Sequence, residues 1–531
     1  MIHALHDWVT LQARRRPEAT AIVGNGQFLS YAELDTLSTQ LARSLRLAGC
    51  QRGDRVCLLM PKSPLAIVAI VGIHKAGGIY VPLDPASPAG RLSKIINSCD
   101  SHCILVGGIG AVVLQELLRQ EWFPSGLCIG WLDETLPDWG RQVAAFSLDE
   151  MRNQHASPLP APDTELSHIL FTSGSTGAPK GVMITHRGVI HFVEWAKRYF
   201  GIGSDDRLSG HPPLHFDLSF FDIFGAFAAG AELHLVPAEA NLLPDRLAEW
   251  IRTSRVTQWL SVPSALHYMA RFDAVRPGDF PELRRLLWCG EVLPTSSLMH
   301  WMKRLPHVRC TNLYGPAETT IASGYYTVSE CPQHERMQIP IGSACGDGKL
   351  LVLDGNMSPV AAGETGELYV GGPGLSSGYW KDPERTRQVF VEDPRDPSGR
   401  LYRSGDLARL GEDGLVYFLG RADSQIRSRG YRIEPGEIEA ALNALDILRE
   451  SAVVAVPSNG FDGAVICCAY VIAGDIKPAP ARLRAELEKT LPRYMIPSFW
   501  MEFDELPKNA NGKIDRLRLQ EILQPHAVTA A

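Results

Sequence analysis

The sequence predicts an α/β fold, with a large N-terminal core of α/β layers that includes a β subdomain, and a small α+β C-terminal domain. Short apolar runs alternate with amphipathic helical segments up to about residue 300, a pattern typical of largely parallel sheets. Beyond about residue 335, short strands separated by Gly- and Asp-rich turns predict the β subdomain. Hydrophobic residues occupy 45% of the 531 positions, so a large core can form without disulfides.

The elements follow from periodicity, taken in chain order. The segment AELDTLSTQLARSLRLAG has apolar residues at helical spacing and is closed by Gly49. The apolar runs VCLLM, CILVG and LCIGWL predict buried strands with helices between them, and the alternation continues through AELHLVP, LPDRLAEWIRTS and VTQWLSVP. Strands GKLLVLD, GELYVGG, RLYRSGDLARL and GLVYFLGR build the β subdomain. After Arg421, the segments EIEAALNAL, SAVVAVP and ARLRAELEKTLP predict a small domain of helices and strands.

Composition excludes several classes of function. The formal net charge is −7, so no strong basic field attracts nucleic acid or an anionic membrane. Eleven cysteines are scattered without the spacing of a zinc site, which predicts buried thiols in a reducing compartment. The N-terminus lacks the pattern of a signal peptide, and the longest apolar stretch, Leu65 to Ile73, is too short to span a bilayer. We therefore expect a cytoplasmic protein that binds neither nucleic acid nor membrane.

The strongest local motif is FTSGSTGAPKG, from Phe171 to Gly181, directly after the apolar run SHILF. Small hydroxyl residues and glycines let the backbone approach an anion closely, and Lys180 adds a positive charge. The motif is not a Walker A loop, because Lys180 is followed by Gly181. A mobile surface loop is the alternative. We predict that phosphate oxygens are wrapped by six residues: Thr172, Ser173, Gly174, Ser175, Thr176 and Gly177.

This motif resembles that of the adenylate-forming enzymes, specifically the amino-acid adenylation domains of nonribosomal peptide synthesis. Further matches follow in the family's order: SYAELD, KAGGIYVPLDP, NLYGPAETT, GELYVGGPGLSSGYW, YRSGDLARL, GRADSQIRSRGYRIEPGEIE and NGKIDR. The resemblance implies a core over residues 1–422 and a lid domain over 423–531, joined by a hinge near Asp423. It also implies two half-reactions. ATP and an amino acid give aminoacyl-AMP and pyrophosphate, and a carrier-protein phosphopantetheine thiol then takes the acyl group.

The resemblance also implies roles for single residues. Glu318 is the expected Mg²⁺ ligand and acts in catalysis with Lys180, Thr319 and Lys513, the last bridging substrate carboxylate and AMP. Nucleotide contacts are expected from Gly290 and Glu291 along the adenine, Tyr314 stacked on it, Asp406 on the ribose, and Arg421 on ribose or phosphate. Each has an alternative from its own chemistry. Glu318 and Lys513 can be solvated loop residues, and Asp406 can form an Asx turn.

Asp217 is the predicted residue that binds the substrate's charged group. It lies within an apolar run, where an unpaired carboxylate is expensive to bury and therefore needs a partner. Its family counterpart pairs with the α-ammonium of an amino acid, whereas a structural buried acid is the alternative. The other selectivity positions that the resemblance implies carry no charge: Leu218, Phe221, Leu260, Leu287, Cys289, Leu313, Ile321 and Ala322. Lys513, from the lid, is the one further substrate contact that the resemblance implies, and it is charged. Such lining rules against polar side chains.

A compact apolar amino acid fits this lining. The pattern resembles stand-alone proline-activating enzymes that feed pyrrole biosynthesis of antibiotics, so L-proline is the leading candidate. Serine, cysteine or another small amino acid stays open, as do an acyl- or aryl-CoA synthetase and a binding protein without activity. The chain ends soon after the last motif, so we expect a stand-alone enzyme that loads a separate carrier protein in trans.

Overall fold

The computed structural model describes residues 2–120, 122, 126–157, 164–174, 179–445, 447–457, 464–473, 479–508 and 514–530. All structural statements below concern these residues. Across them, no helix combines the length and apolarity that a membrane span requires.

The first third of the chain builds a seven-stranded sheet flanked by helices. The strand order is β7-β6-β5-β3-β4-β8-β9, parallel except for the antiparallel pair β8–β9. The elements are α1 (His6–Arg15), β1 (Thr20–Gly24), β2 (Gln27–Ser30), α2 (Tyr31–Leu47), β3 (Arg55–Leu59), α3 (Pro64–Lys75), β4 (Ile79–Pro82), α4 (Ala89–Ser98), β5 (Cys103–Val106), α5 (Gly110–Arg119), β6 (Cys128–Trp131), α6 (Asp138–Val143), β7 (Phe146–Ser147), α7 (Leu148–Arg152), β8 (Leu166–Thr172) and β9 (Lys180–Thr185).

The middle of the chain builds a nine-stranded sheet of order β16-β15-β14-β13-β12-β10-β11-β1-β2. Its central strands are parallel, and its edge pairs are antiparallel. The added elements are α8 (His186–Phe200), β10 (Arg207–Gly210), α9 (Leu218–Ala229), β11 (Glu232–Leu235), α10 (Pro244–Ser254), β12 (Gln258–Ser261), α11 (Pro263–Arg271), β13 (Arg285–Cys289), α12 (Thr295–Arg304), β14 (Arg309–Tyr314), β15 (Gly324–Val328) and β16 (Ser343–Ala344). Short 3₁₀ turns lie at Ala238–Leu242 and Ala317–Thr319.

The predicted β subdomain is a five-stranded antiparallel sheet. It contains β17 (Lys349–Leu353), β18 (Thr365–Gly371), α13 (Pro383–Val389), β19 (Phe390–Asp393), β20 (Asp396–Leu410) and β21 (Val416–Arg421). We call the described residues from 426 onward the lid. It contains the hairpin β22 (Ile426–Ser428) and β23 (Tyr431–Ile433), then α14 (Pro435–Asn443), β24 (Leu448–Pro457), β25 (Ala464–Ile472), α15 (Pro480–Leu487), a 3₁₀ turn (Arg493–Met495), β26 (Phe499–Glu502) and α16 (Arg516–Ala530).

One large apolar core joins the two parallel sheets. Helices α3 and α9 lie between them and are buried almost all round, which explains why their sequences are apolar on every face. The lid has its own apolar clusters on both faces of its three-stranded sheet. The predicted fold class is therefore confirmed: an α/β core with a β subdomain and a small α+β C-terminal unit. The carboxyl ends of β12, β13 and β14 lie side by side at one edge of the nine-stranded sheet, where ligands of such sheets bind, and the carboxyl end of β8, from the other sheet, faces the cavity at this edge.

Candidate functional site

A cavity of about 110 Å³ lies at this edge, between the core and the lid. The core supplies the ends of parallel strands and the loops that follow them, and the lid supplies its first hairpin. The lining residues are Leu170, Phe171, Thr172, Ser173, His215, Phe216, Asp217, Leu218, Val262, Cys289, Gly290, Gly315, Pro316, Ala317, Arg427, Gly430, Tyr431, Arg432 and Tyr494. Three of the quoted motifs, FTSGSTGAPKG, NLYGPAETT and GRADSQIRSRGYRIEPGEIE, therefore converge on one cavity together with Asp217.

Glu318 is the centre of a buried charge cluster beside this cavity. Its side chain is fully buried, and its two oxygens each accept a hydrogen bond of 2.9 Å from Nη1 of Arg432. Nζ of Lys180 lies 3.3 Å from Oε1, and the hydroxyl of Tyr379 donates to the same oxygen at 2.7 Å. Burial acts to raise the pKa of Glu318, but Arg432 and Lys180 outweigh it and hold the pKa well below its usual value. Burial also lowers the pKa of Lys180 to about 8.

The lid also contacts the described part of the predicted phosphate-binding motif. The hydroxyl of Ser173 donates to the backbone oxygen of Arg432 at 2.5 Å, and the amide of Gly174 donates to Glu437 at 3.2 Å. Glu437 is in turn paired with the buried guanidinium of Arg91. The predicted phosphate ligands Ser175, Thr176 and Gly177 lie outside the described residues. A lid arginine and a lid glutamate thus stand where a cation and a phosphate are expected.

The predicted nucleotide contacts lie around Asp406, which is fully buried. Its carboxylate accepts a hydrogen bond from the hydroxyl of Tyr314 and one of 2.6 Å from Nη1 of Arg421. Arg421 also binds Asp423, at 2.6 Å. This chain of contacts links the end of β14 to the start of the lid.

The predicted adenine shelf, Gly290 and Glu291, is in contact with the lid hairpin. Arg427 donates to the backbone oxygen of Gly290 at 3.1 Å, and the amide of Gly430 donates to Glu291. No atom lies within 4 Å of where a Cβ of Gly290 would be, and its φ of +102° suits only glycine. The backbone here is therefore free for a flat ring to lie against it.

Asp217 lies at the start of α9 with its Oδ2 atom buried and without a hydrogen-bond partner in the described structure. Burial raises its pKa to about 7, although the backbone amides of Leu218 and Ile321 favour the ionised form. A buried carboxylate oxygen that faces a cavity without a partner fits a cationic ligand.

The apolar selectivity positions divide into two groups. Leu218 and Cys289 line the cavity with Asp217, and burial raises the pKa of Cys289 to about 12, so its thiol is neutral. The remaining six belong to the same buried core but do not reach the cavity wall: Phe221, Leu260, Leu287, Leu313, Ile321 and Ala322. Among them, Leu260 pairs with Leu287 across β12 and β13, and Leu313 pairs with Cys289 across β13 and β14.

Of the predicted catalytic residues Thr319 and Lys513, only Thr319 belongs to the described part of the chain. Thr319 is buried, donates to the backbone oxygen of Pro316 and accepts from Ser323, and it lies behind the cavity wall. Lys513 lies outside the described residues. The flanking residues Lys508 and Ile514 form a bridge with each other.

Sequence reasoning missed three groups that contact the predicted site: Arg432, Glu437 and Tyr379. Arg432 and Glu437 stand in the quoted motif GYRIEPGEIE, and Tyr379 stands in GLSSGYW. For Arg432 and Glu437 the available signal was charge within a motif, and for Tyr379 it was a hydroxyl-bearing ring within one. Their partners, however, are between 61 and 346 positions away along the chain.

The chain matches the AMP-binding enzyme family over residues 9–380 and the AMP-binding enzyme C-terminal domain over residues 437–513. It belongs to the AMP-binding enzyme family. As a member, it is an AMP-forming ligase that uses ATP with Mg²⁺. The resemblance noted from the motifs is confirmed at this level.

Two curated relatives of this AMP-binding enzyme are much longer synthases. Tyrocidine synthase 3 of Brevibacillus parabrevis is 33% identical over 527 residues, which is 99% of this chain and 8% of that protein. Gramicidin S synthase 2 of Brevibacillus brevis is 34% identical over 514 residues, 96% of this chain and 11% of that protein. The chain thus spans a small part of the length of these relatives.

Solved structures share its whole architecture. The Vibrio cholerae adenylation domain AlmE, in complex with glycyl-adenosine-5'-phosphate, has a TM-score of 0.84 at 25% identity and covers 98% of each chain. The amide bond synthetase McbA of Marinactinospora thermotolerans has a TM-score of 0.86 at 24% identity, over 98% of this chain and all of that one. The McbA match shows the shared fold.

The site fits ATP and magnesium as the AMP-binding enzyme would hold them. No group of three or more His, Cys, Asp or Glu side chains that could hold a metal exists among the described residues. Magnesium often takes one or two carboxylates and completes its shell with phosphate oxygens and water. Glu318 lies buried beside the cavity, and Arg432 and Lys180 favour its ionised form, so it is suited to be that carboxylate once Arg432 moves off it.

Proposed function

We propose that this AMP-binding enzyme activates a small apolar L-amino acid as aminoacyl-AMP, with release of pyrophosphate, and transfers it to the phosphopantetheine thiol of a carrier protein. The observation that carries the proposal is the buried, unpartnered Oδ2 of Asp217 on the cavity wall. An α-ammonium group is the ligand that would satisfy it, and an acid without an amine would leave it unpaired. The complex of AlmE with glycyl-adenosine-5'-phosphate supports the class of substrate.

In the first half-reaction, the substrate carboxylate attacks the α-phosphorus and negative charge accumulates on the phosphoryl oxygens. Catalysis therefore depends mainly on positioning the reactants and on cations that stabilise this charge. Glu318 holds Mg²⁺, and Lys180 and the motif residues Thr172, Ser173 and Gly174 place phosphate oxygens. Thr319 acts near the α-phosphate, and Tyr314, Gly290, Asp406 and Arg421 hold the nucleoside. Lys513 joins the site only when the lid turns about Asp423, at the boundary that we propose between residues 1–422 and 423–531.

In the second half-reaction, a thiol needs a path to the adenylate. A second cavity of about 240 Å³ adjoins the first one and is built from core and lid residues. Both cavities are bounded by Phe216, Val262 and Tyr431. A narrow acyl-accepting arm that reaches the adenylate from this side is compatible with the observed lid position. That the carrier is a separate protein stays a prediction, as does the cytoplasmic location.

L-Proline is the proposed substrate. Its ammonium offers two N–H donors to Asp217, and its compact ring needs no hydrogen bond from Leu218 or the neutral thiol of Cys289. The six buried apolar residues behind them leave little room for a large side chain. Serine, cysteine and other small amino acids are the alternatives, because apolar contacts separate close homologues by only ~1–3 kcal/mol.

The deciding experiment is amino-acid-dependent ATP–pyrophosphate exchange across the twenty amino acids. We expect the highest rate with L-proline. A higher rate with serine or cysteine would contradict the choice of substrate. Exchange with a carboxylic acid that lacks an amine, and with no amino acid, would replace the proposal by an acyl-CoA synthetase. Loading of a purified carrier protein added in trans then tests the second half-reaction.

A further inference from the structure

The wall between the two cavities is made by aromatic rings from both the core and the lid. Tyr431, on the lid hairpin, stacks on Tyr494 with ring centres 3.6 Å apart and an interplanar angle of 14°. Its other side meets the ring of Phe216 edge-on, at 4.9 Å and 78°. His215 lies farther along the same stack, at 6.3 Å. A lid ring is therefore held between a second lid ring and the core.

The hairpin backbone closes against the same wall. Gly430 adopts φ +79°, and a Cβ there would lie 2.7 Å from Cγ1 of Val262 and 3.3 Å from the ring of Phe216. Only a glycine allows this approach. The amide of Gly430 donates to Glu291, which fixes the tip of the hairpin on the core. Tyr431 thus enters the wall from an anchored position, and Tyr494 limits where its ring can turn.

We propose that Tyr431 is a gate between the two cavities, and that Tyr494 is a positioning residue that holds this gate closed until an acyl-accepting arm displaces the ring. The proposal rests on the proposed function, because it needs an adenylate in the first cavity and a thiol that arrives through the second. Its chemical purpose is discrimination between nucleophiles. An adenylate reacts with any small nucleophile that reaches it, whereas a tethered arm can use its binding energy to move the ring.

Water, thiol and hydroxylamine react with the adenylate by the same bond changes. The nucleophile forms a bond to the carbonyl carbon, the bond from that carbon to the phosphate oxygen breaks, and AMP leaves with the electron pair. The proton of the nucleophile passes to solvent. Water regenerates the amino acid, the arm gives a thioester, and hydroxylamine gives a hydroxamate. Hydroxylamine is close to water in size and therefore reports how open the gate is.

The test is hydroxamate formation from ATP, amino acid and hydroxylamine, divided by the pyrophosphate-exchange rate of the same variant. We expect this ratio to rise about tenfold in Tyr494→Ala, the limit of what one aromatic stack contributes. Tyr494→Phe keeps the ring and should behave as wild type. Tyr268→Ala is the matched control, because Tyr268 lines the second cavity but not the shared wall, and its ratio should not change.

A second variant guards against loss of folding. Tyr431→Leu removes the gating ring itself and should raise the ratio as much as Tyr494→Ala, with the thermal unfolding temperature retained; dividing by the variant's own exchange rate corrects for any change in adenylation. An unchanged ratio in both folded variants, with normal exchange, would overturn the gate and leave the proposed function intact. Absence of exchange in the wild type with every amino acid would overturn the proposed function, and the gate with it.

Discussion

The Oδ2 atom of Asp217 is buried on the cavity wall without a partner, and burial raises the pKa of this residue to about 7. The pKa of an unfolded aspartate is about 3.9. Since the folded pKa is the higher one, the ionised form opposes folding, and this cost grows as the pH rises from about 4 to about 7. The same ionised carboxylate is what an ammonium group needs. Stability and binding therefore make opposite demands on this residue.

We predict that Asp217→Asn stabilises the fold while it disables the site. At pH 8 the free energy of unfolding should rise by up to ~4 kcal/mol, with the gain shrinking towards pH 4. Amino-acid-dependent exchange should lose ~3–5 kcal/mol of transition-state binding, as for a broken buried charge pair. Denaturant titration at both pH values and exchange kinetics check the two parts. Asp205→Asn, at an exposed carboxylate, is the control; equal behaviour of the two variants would contradict the prediction.

The pairing of Glu318 illustrates which site residues a sequence can reveal. Asp217 was predicted on local grounds, because an acid within an apolar run needs a partner, whereas Glu318 was predicted from the resemblance of its motif. Arg432 was not, because its function depends on where the lid places it, 114 positions from Glu318 along the chain. Leu260 and Leu287 were expected to line the pocket but lie behind its wall, since side-chain packing decides which apolar residues of one cluster reach a cavity.

At the scale of elements, α1, α3, β8 and α8 bring four histidines into one buried region. The rings of His74 and His186 are 4.9 Å apart, and His168 stacks on Phe220 at 3.7 Å. Burial lowers the pKa of His74 to about 3 and that of His6 to about 4. These histidines are therefore neutral in the folded protein and bind protons only after unfolding.

We predict acid-sensitive stability from this cluster. A histidine whose folded pKa is depressed costs stability as the pH falls below its unfolded pKa of about 6.5, by ~1.4 kcal/mol per pH unit until the folded pKa is reached. His74→Gln keeps a donor for the backbone oxygen of Ser167 and should reduce this slope between pH 6.5 and pH 4. His3→Gln, at an exposed site, should leave the slope unchanged. Denaturant unfolding at several pH values measures it, and equal slopes for wild type and His74→Gln would disprove the assignment.

The sequence predicted the positions of helices and strands better than it predicted which strands pair with each other. Helix α2 was recognised from its 3.6-residue periodicity, and its Ser30–Glu33 capping box explains the sharp start. The β subdomain was recognised from turn residues alone. The sequence could not show that β1 and β2 join the nine-stranded sheet beside β11, over 200 residues away, because neither strand carries information about its distant neighbour.

At the scale of the whole molecule, the observed lid position places Arg432 on Glu318 and Glu437 on the amide of Gly174. These contacts would compete directly with the Mg²⁺ that we propose on the carboxylate and the phosphate that we propose on the loop. We predict that magnesium pyrophosphate moves the lid. Hydrogen exchange at the amides of the β22–β23 hairpin should rise on its addition to the wild-type enzyme.

Arg432→Ala should bind magnesium pyrophosphate about tenfold more tightly or better. In the wild type the ligand must first break the charge-assisted pair between Arg432 and Glu318, and the variant has no such pair to break. Isothermal titration measures this affinity without turnover. Arg484→Ala, at an exposed lid arginine beside Glu488, is the control and should match wild type. If hydrogen exchange at the hairpin amides did not change on addition of magnesium pyrophosphate, the ligand and the observed lid position would be compatible, and the prediction would be wrong.

We also predict that Asp423→Pro separates the two half-reactions. Proline fixes φ near −65°, and Asp423 stands where the core ends and the lid hairpin begins. We expect the proline to keep the lid in the position in which Lys513 reaches the site, so adenylate should form at close to the normal rate, whereas carrier loading, which needs the lid to turn to the observed position, should fall by at least tenfold. Single-turnover adenylation and carrier-loading assays measure the two steps. Asp423→Ala keeps the backbone free and should load normally; normal loading by the proline variant would move the hinge elsewhere.

On the proposed assignment, the oxygens of Glu318 that would bind Mg²⁺ are the two that accept hydrogen bonds from Arg432, so the ion and the guanidinium exclude each other. The first product must therefore depart, with its cation, before the acceptor substrate can react, and the order of events is fixed by electrostatic exclusion. In steady-state terms this imposes a ping-pong scheme: double-reciprocal plots for ATP at several carrier concentrations should be parallel lines. Added pyrophosphate should make these lines intersect, because it reverses the step that separates the two substrates.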